Sequence, residues 1–394
     1  MLRIAFYYNH FNTVGHSLRV FSLVKNIKKK LKEKVKIIIL QDGKKQNLFP
    51  FNKYGRLYFL PYGLSKKAFF SKTDLFTYQA IKDGALKYMF KERAKSIREV
   101  LHKFRPHIFI TEYYPLGMGF WSFETPYILD FLKERFHCKI IGSTGYPTWS
   151  KDSYKIIKQF YDMVFIHCPR DFFEEFITHP MVPGEGRQII KNIENYLGNR
   201  LIFTGYILDK NFKLKRDIRE SLLLDKKYLV LVSRGGGIIN ERIILNILLL
   251  AKELKRIFIV ISTGIFTEQK KFNHYRKLSE SLSNVKLVKM LEPNFESYLK
   301  ACNLSINMAG YNTVVRILWF GKKSIIFPQD TTEQLIRADL ISKNYPVKVL
   351  SQNTDLEILE KSILEMVNKK DNFPKLEEKK FQGLENTIDY LFKI

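Results

Sequence analysis

Residues 307–338 decide the fold of this chain, and they read NMAGYNTVVRILWFGKKSIIFPQDTTEQLIRA. An apolar run that ends just before this stretch fits a buried strand, and Gly310 permits a tight turn behind it. Asn312 or Thr313 can cap the helix that continues to Phe320. A short strand, a loop and a second helix follow. The stretch therefore predicts a parallel α/β arrangement in which a glycine turn joins a strand end to a helix.

The start of this helix suits a bound anion. A glycine turn that leads into a helix presents backbone N–H groups and the positive end of the helix dipole, which favour a phosphate. Arg316 lies one turn further on, where a cation opposes the dipole by roughly 0.3–1 kcal/mol, and a nearby anion would explain its presence. The alternative is a capped turn with a solvated arginine, which the residues alone favour equally.

The same stretch resembles the nucleotide-sugar site of GT-B glycosyltransferases related to the lipid-II-forming N-acetylglucosaminyltransferase of peptidoglycan synthesis. In those enzymes a small-Gly-x-x-Thr helix start holds the diphosphate, and AGYNT at residues 309–313 matches that pattern. A Pro-x(n)-Gln loop further along meets ribose and sugar, and residues 328–334 match it. The resemblance implies a nucleotide-sugar site in the second half of the chain.

Further segments resemble a narrower group, the predicted glycosyltransferases filed beside that enzyme. They are GHSLR at residues 15–19, TEYYPLG at 111–117 with FE at 123–124, FTGY at 203–206, VSRGGG at 232–237 and GYNT at 310–313. Their order and approximate spacing match from the first strand to about residue 367. The resemblance implies the GT-B fold, an α/β architecture in which two Rossmann-like domains with parallel sheets face a central cleft.

The chain is long enough for two domains, because 394 residues exceed one ordinary hydrophobic core. Strands and helices alternate along both halves, which predicts parallel sheets with helices on both faces. Predicted strands cover residues 3–8, 35–40, 107–111, 139–143 and 163–167 in the first half, and 228–232, 257–262, 285–289, 304–306, 323–327 and 347–349 in the second.

The domain boundaries follow from this pattern and from the resemblance. Polar linker residues at 208–215 predict the joint between an N-terminal acceptor-binding domain, residues 1–207, and a C-terminal nucleotide-sugar-binding domain, residues 208–375. The resemblance implies that a last helix within residues 376–394 crosses back to the first domain.

The net charge of +27 needs an explanation. Lysine runs at residues 28–30, 44–45 and 369–370 are spread over the whole length. A lysine-rich genome is one explanation. Attraction to an anionic membrane surface or acceptor is another, since each lysine near such a surface contributes on the order of 1 kcal/mol. Nucleic acid ranks last, because no nucleic-acid-binding module is recognisable and the basic residues are not concentrated in one element.

The cysteines and the hydropathy of the sequence indicate the cellular compartment of the protein. Cys138, Cys168 and Cys302 are scattered without metal-ligand spacing, which is typical of a reducing compartment. The N-terminus MLRIAFYYNH reads as a strand rather than a signal peptide, and no apolar run approaches the eighteen or so residues that span a bilayer. The sequence therefore predicts a cytoplasmic protein, and its charge admits peripheral attachment at the inner face of the membrane.

His16 and Glu112 are the candidate catalytic residues. His16 follows the first strand, and a neutral imidazole there can take the proton of an acceptor hydroxyl as that oxygen attacks the sugar. A loop histidine bonded to a carbonyl is the alternative, and His10 is the nearby rival; the resemblance favours His16. Glu112 ends a strand in a loop rich in aromatic residues, where it could bond sugar hydroxyls, act as a second base or cap a helix.

Four further residues complete the predicted acceptor side. Gly15 precedes the candidate base, and Arg19 lies on the first turn of the helix, where it could orient an anionic acceptor or be solvated. Tyr114 could present an apolar face to a sugar, with a core role as the alternative. Tyr146 follows another strand end and could line the same side.

The predicted donor-binding residues lie in the second half. The triple-glycine turn after a strand allows close approach of a ligand but fits neither a Walker nor a dinucleotide pattern. The set comprises Ser233, Gly235, Gly236, Gly237, Thr263, Gly310, Tyr311, Asn312, Thr313, Arg316, Glu333 and Gln334. Arg316 departs from the relatives, where an acidic residue grips the ribose. Arginine carries only donors, so it could instead meet phosphate while Glu333 takes the ribose role.

These observations predict an inverting, metal-independent glycosyltransferase without a cofactor. The resemblance implies a nucleotide-sugar donor, with UDP-sugars as candidates, and leaves glycan, lipid-linked and protein acceptors open. Backbone N–H groups would stabilise the departing diphosphate in place of a cation. Two alternatives stay open: a nucleotide-sugar hydrolase of the pseudaminic-acid type, with water as acceptor, and a degenerate nucleotide-sugar-binding protein.

Overall fold

A computed structural model describes residues 1–9, 14–42, 48–60, 85–117, 124–146, 149, 151–215, 218–224, 228–236, 241–291, 294–370, 373–374 and 376–393. The chain divides into two compact units: unit 1 comprises residues 1–207 and 379–394, and unit 2 comprises residues 208–378. Each unit is built on one sheet, with seven described strands in unit 1 and six in unit 2. The predicted α/β class with parallel sheets is confirmed.

Unit 1 is a parallel sheet covered by helices. Its strands are β1 (Leu2–Asn9), β2 (Val35–Asp42), β3 (Arg56–Phe59), β4 (Ile108–Glu112), β5 (Lys139–Thr144), β6 (Met163–Ile166) and β7 (Leu201–Phe203). They lie in the order β3-β2-β1-β4-β5-β6-β7, and every neighbouring pair is parallel. Its helices are α1 (Gly15–Leu31), α2 (Ala85–Phe104), α3 (Thr125–Phe136), α4 (Ser153–Phe160), α5 (Arg170–Thr178), α6 (Gly184–Leu197) and a C-terminal helix (Gly383–Leu391).

The C-terminal helix completes the core of unit 1. Leu384, Ile388 and Leu391 are buried in the same hydrophobic cluster as β1, α1 and β2. The backbones of the helix start and of the chain after β7 approach closely, because a Cβ on either Gly205 or Gly383 would collide with backbone of the other segment. This contact holds the C-terminal helix against the sheet of unit 1, which also contains β1.

Unit 2 repeats the arrangement with a smaller sheet. Its strands are β8 (Tyr228–Ser233), β9 (Ile257–Ser262), β10 (Val285–Val288), β11 (Leu304–Asn307), β12 (Ser324–Ile326) and β13 (Val347–Val349). They lie in the order β10-β9-β8-β11-β12-β13, again all parallel. The described helices are α7 (Ile218–Ser221), α8 (Glu241–Leu250), α9 (Gln269–Ser279), α10 (Phe295–Ala301), α11 (Tyr311–Phe320), α12 (Thr332–Asn344) and α13 (Leu356–Asn368).

The predicted strands agree with the observed ones to within two residues at each end, but β3 and β7 were not among them, and helices α4 and α6 of unit 1 were not predicted either. The three cysteines are free thiols buried in the two units. In the described part of the chain, no helix is both long enough and apolar enough to cross a bilayer.

Candidate functional site

The strand order of each sheet marks where a ligand site belongs. In an open parallel sheet, ligands bind outside the carboxyl ends of the strands where the strand order reverses. That reversal lies between β1 and β4 in unit 1 and between β8 and β11 in unit 2. His16 follows β1, and Glu112 is the last residue of β4. The predicted catalytic residues therefore flank the switch point of unit 1.

Glu112 is the centre of a buried polar cluster. Its residue surface is only 6% exposed. Its Oε1 accepts hydrogen bonds from Arg19 Nε at 2.6 Å and from Arg19 Nη2, and lies 3.2 Å from His16 Nδ1. Its Oε2 accepts a hydrogen bond from Ser143 Oγ at 2.8 Å. Both carboxylate oxygens are thus occupied by side chains of unit 1.

This cluster keeps Glu112 ionised. Burial is the largest influence and acts to raise its pKa, but Arg19 and the hydrogen bond of His16 outweigh it and lower the pKa to about 2. Such a carboxylate is a very weak base at neutral pH. The geometry therefore does not favour the second-base role predicted for Glu112, and it favours a role in orienting its neighbours.

The His16 imidazole has two possible tautomers, and its neighbours favour one of them. An ionised carboxylate can only accept a hydrogen bond, so Glu112 favours a proton on Nδ1 and a lone pair on Nε2. Arg19 Nη2, 3.4 Å from the same Nδ1, would favour the opposite form, but it lies closer to Glu112. The imidazole side chain is 17% exposed, and the ring of Tyr113 lies 5.0 Å away. His16 therefore has the geometry of a general base held by a carboxylate.

Behind Glu112, further polar side chains continue across the strand ends. Ser143 Oγ lies 2.9 Å from His167 Nε2, and His167 Nδ1 lies 2.8 Å from Thr204 Oγ1. All three residues are buried. Burial lowers the pKa of His167 to about 3, with the positive charge of Arg19 acting in the same direction, so this imidazole is neutral at physiological pH. No role was predicted for His167 from the sequence; its place directly after β6, beside the end of β5, was the available signal.

The other predicted acceptor residues differ in position. Gly15 is the first residue of α1, and Arg19 is buried against Glu112, which leaves it turned inward rather than solvated. Tyr114 and Tyr146 are buried at 4% and 0% exposure, and Tyr146 packs against aromatic rings of α5. Both tyrosines belong to the core of unit 1, which was the alternative reading for Tyr114. His10 lies outside the described residues.

A second buried charge cluster lies on the same edge of the sheet. Arg93 on α2 donates to Asp42 at the end of β2 and to Glu124 Oε1 at 2.6 Å, and its Nη2 lies 3.1 Å from the Tyr7 hydroxyl. The arginine and both carboxylates are at most 2% exposed. Sequence reasoning missed this cluster, because it joins four distant elements. It braces the strand ends beside the candidate base.

In unit 2 the predicted glycine turns also flank the switch point. Ser233 ends β8, Gly235 has φ +58°, a value that favours glycine, and Gly236 follows it. Gly237 lies outside the described residues. Thr263 follows β9 and is fully buried, so its side chain does not reach the surface of the turn.

The helix start at Gly310 differs in detail from the prediction. Gly310 is the N-cap of α11 with φ −64° and has no side chain to make a cap hydrogen bond, while Asn312 and Thr313 lie inside the helix, so the predicted capping by Asn312 or Thr313 is wrong. The left-handed residue is its neighbour Ala309, with φ 51°. A Cβ on Gly310 would meet no described atom within 4 Å. The first turn of α11 begins at Tyr311, and its backbone N–H groups are the ones that a phosphate would need.

The charged residues that were predicted to bind the donor form ion pairs with other side chains of unit 2. Arg316 lies in the second turn of α11 rather than the first, and its Nε donates to Glu296 Oε1 on α10 at 2.7 Å. Glu333 forms an ion pair with Arg337, which is 1% exposed and also donates to the Ala309 carbonyl at 2.6 Å. Arg337 thus connects the start of α12 to the turn before α11.

Gln334 closes the loop that precedes α12. Its backbone N–H donates to Thr331, which caps the helix, and its Oε1 accepts from the backbone N–H of Gln329 at 3.1 Å. The predicted Pro-x(n)-Gln loop is therefore a rigid turn with a structural use for its glutamine.

The comparisons with known proteins bear on the family and the fold. Residues 229–389 match the family model described as the glycosyltransferase family 28 C-terminal domain, which spans unit 2 from β8 onward. No curated protein sequence matches the chain. The predicted resemblance is confirmed for the second half by this family match.

Solved structures of similar fold cover the whole chain at low identity. MurG of Acinetobacter baumannii is 12% identical with a TM-score of 0.57 over 100% of both chains. The spinosyn rhamnosyltransferase SpnG, complexed with thymidine diphosphate, is 11% identical with a TM-score of 0.56 over 100% of this chain and 96% of its own. UDP-GlcNAc 2-epimerase from Neisseria meningitidis, bound to UDP-GlcNAc, is 13% identical with a TM-score of 0.60 over 100% of both chains. The fold is that of the GT-B proteins.

Proposed function

We propose that this chain, whose residues 229–389 match the glycosyltransferase family 28 C-terminal domain and whose fold is GT-B, moves a sugar from a nucleotide-sugar donor to an acceptor hydroxyl, with inversion and without a metal ion. The observation that carries the proposal is the contact between His16 and the ionised Glu112 at the switch point of unit 1. Unit 1 would bind the acceptor, and unit 2 would bind the donor.

The proposed reaction is a single displacement at the anomeric carbon. The acceptor oxygen forms a bond to that carbon while its proton passes to His16 Nε2, and the bond from the carbon to the diphosphate oxygen breaks with its electron pair. Glu112 would stabilise the imidazolium that forms, as a carboxylate does in a catalytic triad. One displacement inverts the configuration of the sugar.

The departing diphosphate needs compensation for its charge. The first turn of α11 after Gly310 presents backbone N–H groups, and its dipole favours an anion at that end. The glycine turn at Gly235 and Gly236 would add further donors. Such groups would act in place of a cation by stabilising charge that develops in the transition state. The structural relatives that are bound to UDP-GlcNAc and thymidine diphosphate suggest UDP- and TDP-sugars as first candidates.

The test is a panel of UDP- and TDP-sugars incubated with candidate glycan and lipid-linked acceptors, with and without EDTA. We expect a transfer product of inverted anomeric configuration, unaffected by EDTA. Loss of transfer on chelation would overturn the metal-free mechanism. Release of free sugar at a rate that no acceptor changes would show a hydrolase instead.

A matched pair of variants tests the base. His16→Gln should lower kcat by about 10²–10⁴-fold, the usual contribution of a general base, with nucleoside-diphosphate binding retained. His137→Gln, at an exposed histidine of unit 1, is the control and should keep the parent kcat. Equal kcat values for the two variants would remove His16 from the mechanism.

A further inference from the structure

The side chains behind Glu112 form one directed hydrogen-bond chain. It runs from Thr204 through His167 and Ser143 to Glu112, with heavy-atom distances of 2.8, 2.9 and 2.8 Å. Each of these four residues lies at the carboxyl end of a different strand: Thr204 follows β7, His167 follows β6, Ser143 is the penultimate residue of β5 and Glu112 ends β4. The chain therefore crosses half of the sheet at its carboxyl edge and ends at the carboxylate that contacts His16.

The direction of every proton in this chain follows from its acceptor end. Glu112 is a carboxylate and can only accept, so the Ser143 hydroxyl must donate to it. Ser143 then has only lone pairs left for His167, so His167 Nε2 carries a proton and donates. His167 Nδ1 is left to accept from the Thr204 hydroxyl. With the opposite tautomer of His167, lone pairs of Ser143 Oγ and His167 Nε2 would face each other across a distance of 2.9 Å.

The carboxylate of Glu112 could also adopt a second orientation, which the hydrogen-bond chain through Ser143 excludes. The Nε and Nη2 atoms of Arg19 form a fork that matches both oxygens of a carboxylate. A Glu112 free to rotate would turn Oε2 onto Arg19 and draw Oε1 away from His16. Arg19 Nη2, already 3.4 Å from His16 Nδ1, could then donate to that atom, and the imidazole would carry its proton on Nε2. In that form His16 could not accept a proton from a substrate.

We propose that Ser143 and His167 are positioning residues that hold the second oxygen of Glu112, and that they thereby keep His16 in the Nδ1–H form with a basic Nε2. Neither residue contacts a reacting atom in this scheme. The catalytic consequence rests on the proposed function, whereas the tautomeric state of His16 does not depend on it.

Described groups of several elements face the two imidazoles. His16 is faced by Glu112 from β4, by Arg19 from its own helix and by the ring of Tyr113. His167 is faced by the hydroxyls of Ser143 and Thr204, while Arg19 and Glu112 act on it through their charges. At His16, the opposed charges of Glu112 and Arg19 both lie near Nδ1, so the orientation of Glu112 decides which of them that atom meets.

The first experiment is ¹⁵N NMR of the full chain labelled at histidine, at a pH of about 8.5, where an ordinary imidazole is neutral. The two-bond ¹H–¹⁵N pattern distinguishes the tautomers, and the variants His16→Gln and His167→Gln assign the two rings by loss of signal. We expect His16 as the Nδ1–H form and His167 as the Nε2–H form. The opposite tautomer at either ring of the parent protein would overturn the proposal.

Variants of Ser143 and His167 test whether these residues determine the tautomer of His16. Ser143→Ala and His167→Leu should each convert His16 to the Nε2–H form, whereas Ser143→Thr and His167→Gln keep the required donor groups and should preserve the Nδ1–H form. A His16 spectrum unchanged by both disruptive variants would overturn the proposal. The parent spectrum decides even if one disruptive variant fails to fold.

The kinetic readout uses the nucleotide-sugar that gives turnover in the donor panel. Ser143→Ala should lower kcat about tenfold with the donor KM within about twofold, and Ser143→Thr should restore kcat. If His16→Gln is inactive but Ser143→Ala keeps the parent kcat, the positioning role of Ser143 is overturned while the proposed base is not. An active His16→Gln overturns the proposed base and leaves the NMR result standing.

Discussion

Glu112→Gln removes the negative charge at the centre of the polar cluster while keeping the shape of the side chain. In the folded chain the pKa of Glu112 is about 2, against an ordinary value of 4.5. The difference corresponds to about 3 kcal/mol of folding free energy, since one pKa unit is worth roughly 1.4 kcal/mol. The carboxylate side chain is only 2% exposed, so solvent screening does not reduce this figure greatly.

The sign and the pH range follow from the lowered pKa. The stabilisation by the Glu112 charge is fully present above the unfolded pKa of 4.5 and is lost as the pH falls through the folded pKa of about 2. At neutral pH we expect Glu112→Gln to lower the free energy of unfolding by about 3–5 kcal/mol, because Arg19 is left buried without its carboxylate. The gap between parent and variant should shrink by about 1 kcal/mol at pH 3.5 and by about 3 kcal/mol near pH 2.

Urea unfolding followed by fluorescence and circular dichroism between pH 7 and pH 2 measures this gap. Glu134→Gln, at an exposed carboxylate of α3, is the control and should differ little from the parent at every pH. A gap for Glu112→Gln that stays constant from pH 7 to pH 3 would show that the carboxylate is not held ionised by Arg19. The assignment of the His16 tautomer would then lose its basis.

Three further outcomes follow from the structure. Arg93→Met should lower the free energy of unfolding by about 3–5 kcal/mol, because two carboxylates stay buried without their cation; urea titration measures it, and Lys95→Met at an exposed site of the same helix should have little effect. Gly310→Val should keep the melting temperature within about 2 °C, since its φ suits any residue and a Cβ meets no described atom, but should abolish binding of UDP in calorimetry. Retained UDP binding would remove this helix start from the donor site. Arg316→Ala should destabilise unit 2 by about 1–3 kcal/mol by leaving Glu296 without its donor. A double-mutant cycle with Glu296→Gln tests this, and a coupling energy near zero would contradict the ion pair.

The sheets could be predicted because buried parallel strands read as continuous apolar runs. Residues 37–40 and 229–232 are examples, and both lie in central parts of their sheets. Helix α6 escaped prediction because it begins after Pro183 with two glycines, a pattern that indicates a turn. In the structure, Gly186 is required because a Cβ there would collide with the ring of Trp149. Such a packing reason is invisible in the sequence.

The candidate site was predicted in part. Both His16 and Glu112 were placed at strand ends of a parallel sheet, which meet at one edge, and the resemblance decided in favour of His16. Their contact, across 96 residues of sequence, depends on side-chain rotation that spacing does not encode. Arg316 shows the same limit, since the carboxylate that engages it belongs to the preceding helix. Charge type could be read from the sequence, whereas the partner of each charge could not.

The return of the C-terminal helix to unit 1 has a consequence for synthesis on the ribosome. Residues 208–378, the whole of unit 2, are translated before residues 379–391 exist. Unit 2 can therefore fold as one contiguous nascent segment, as domains generally do. Unit 1 must wait with the surface that Leu384 and Ile388 will cover still open to solvent. The last step of its maturation is the docking of one short helix, and its timing is set by the translation time of unit 2.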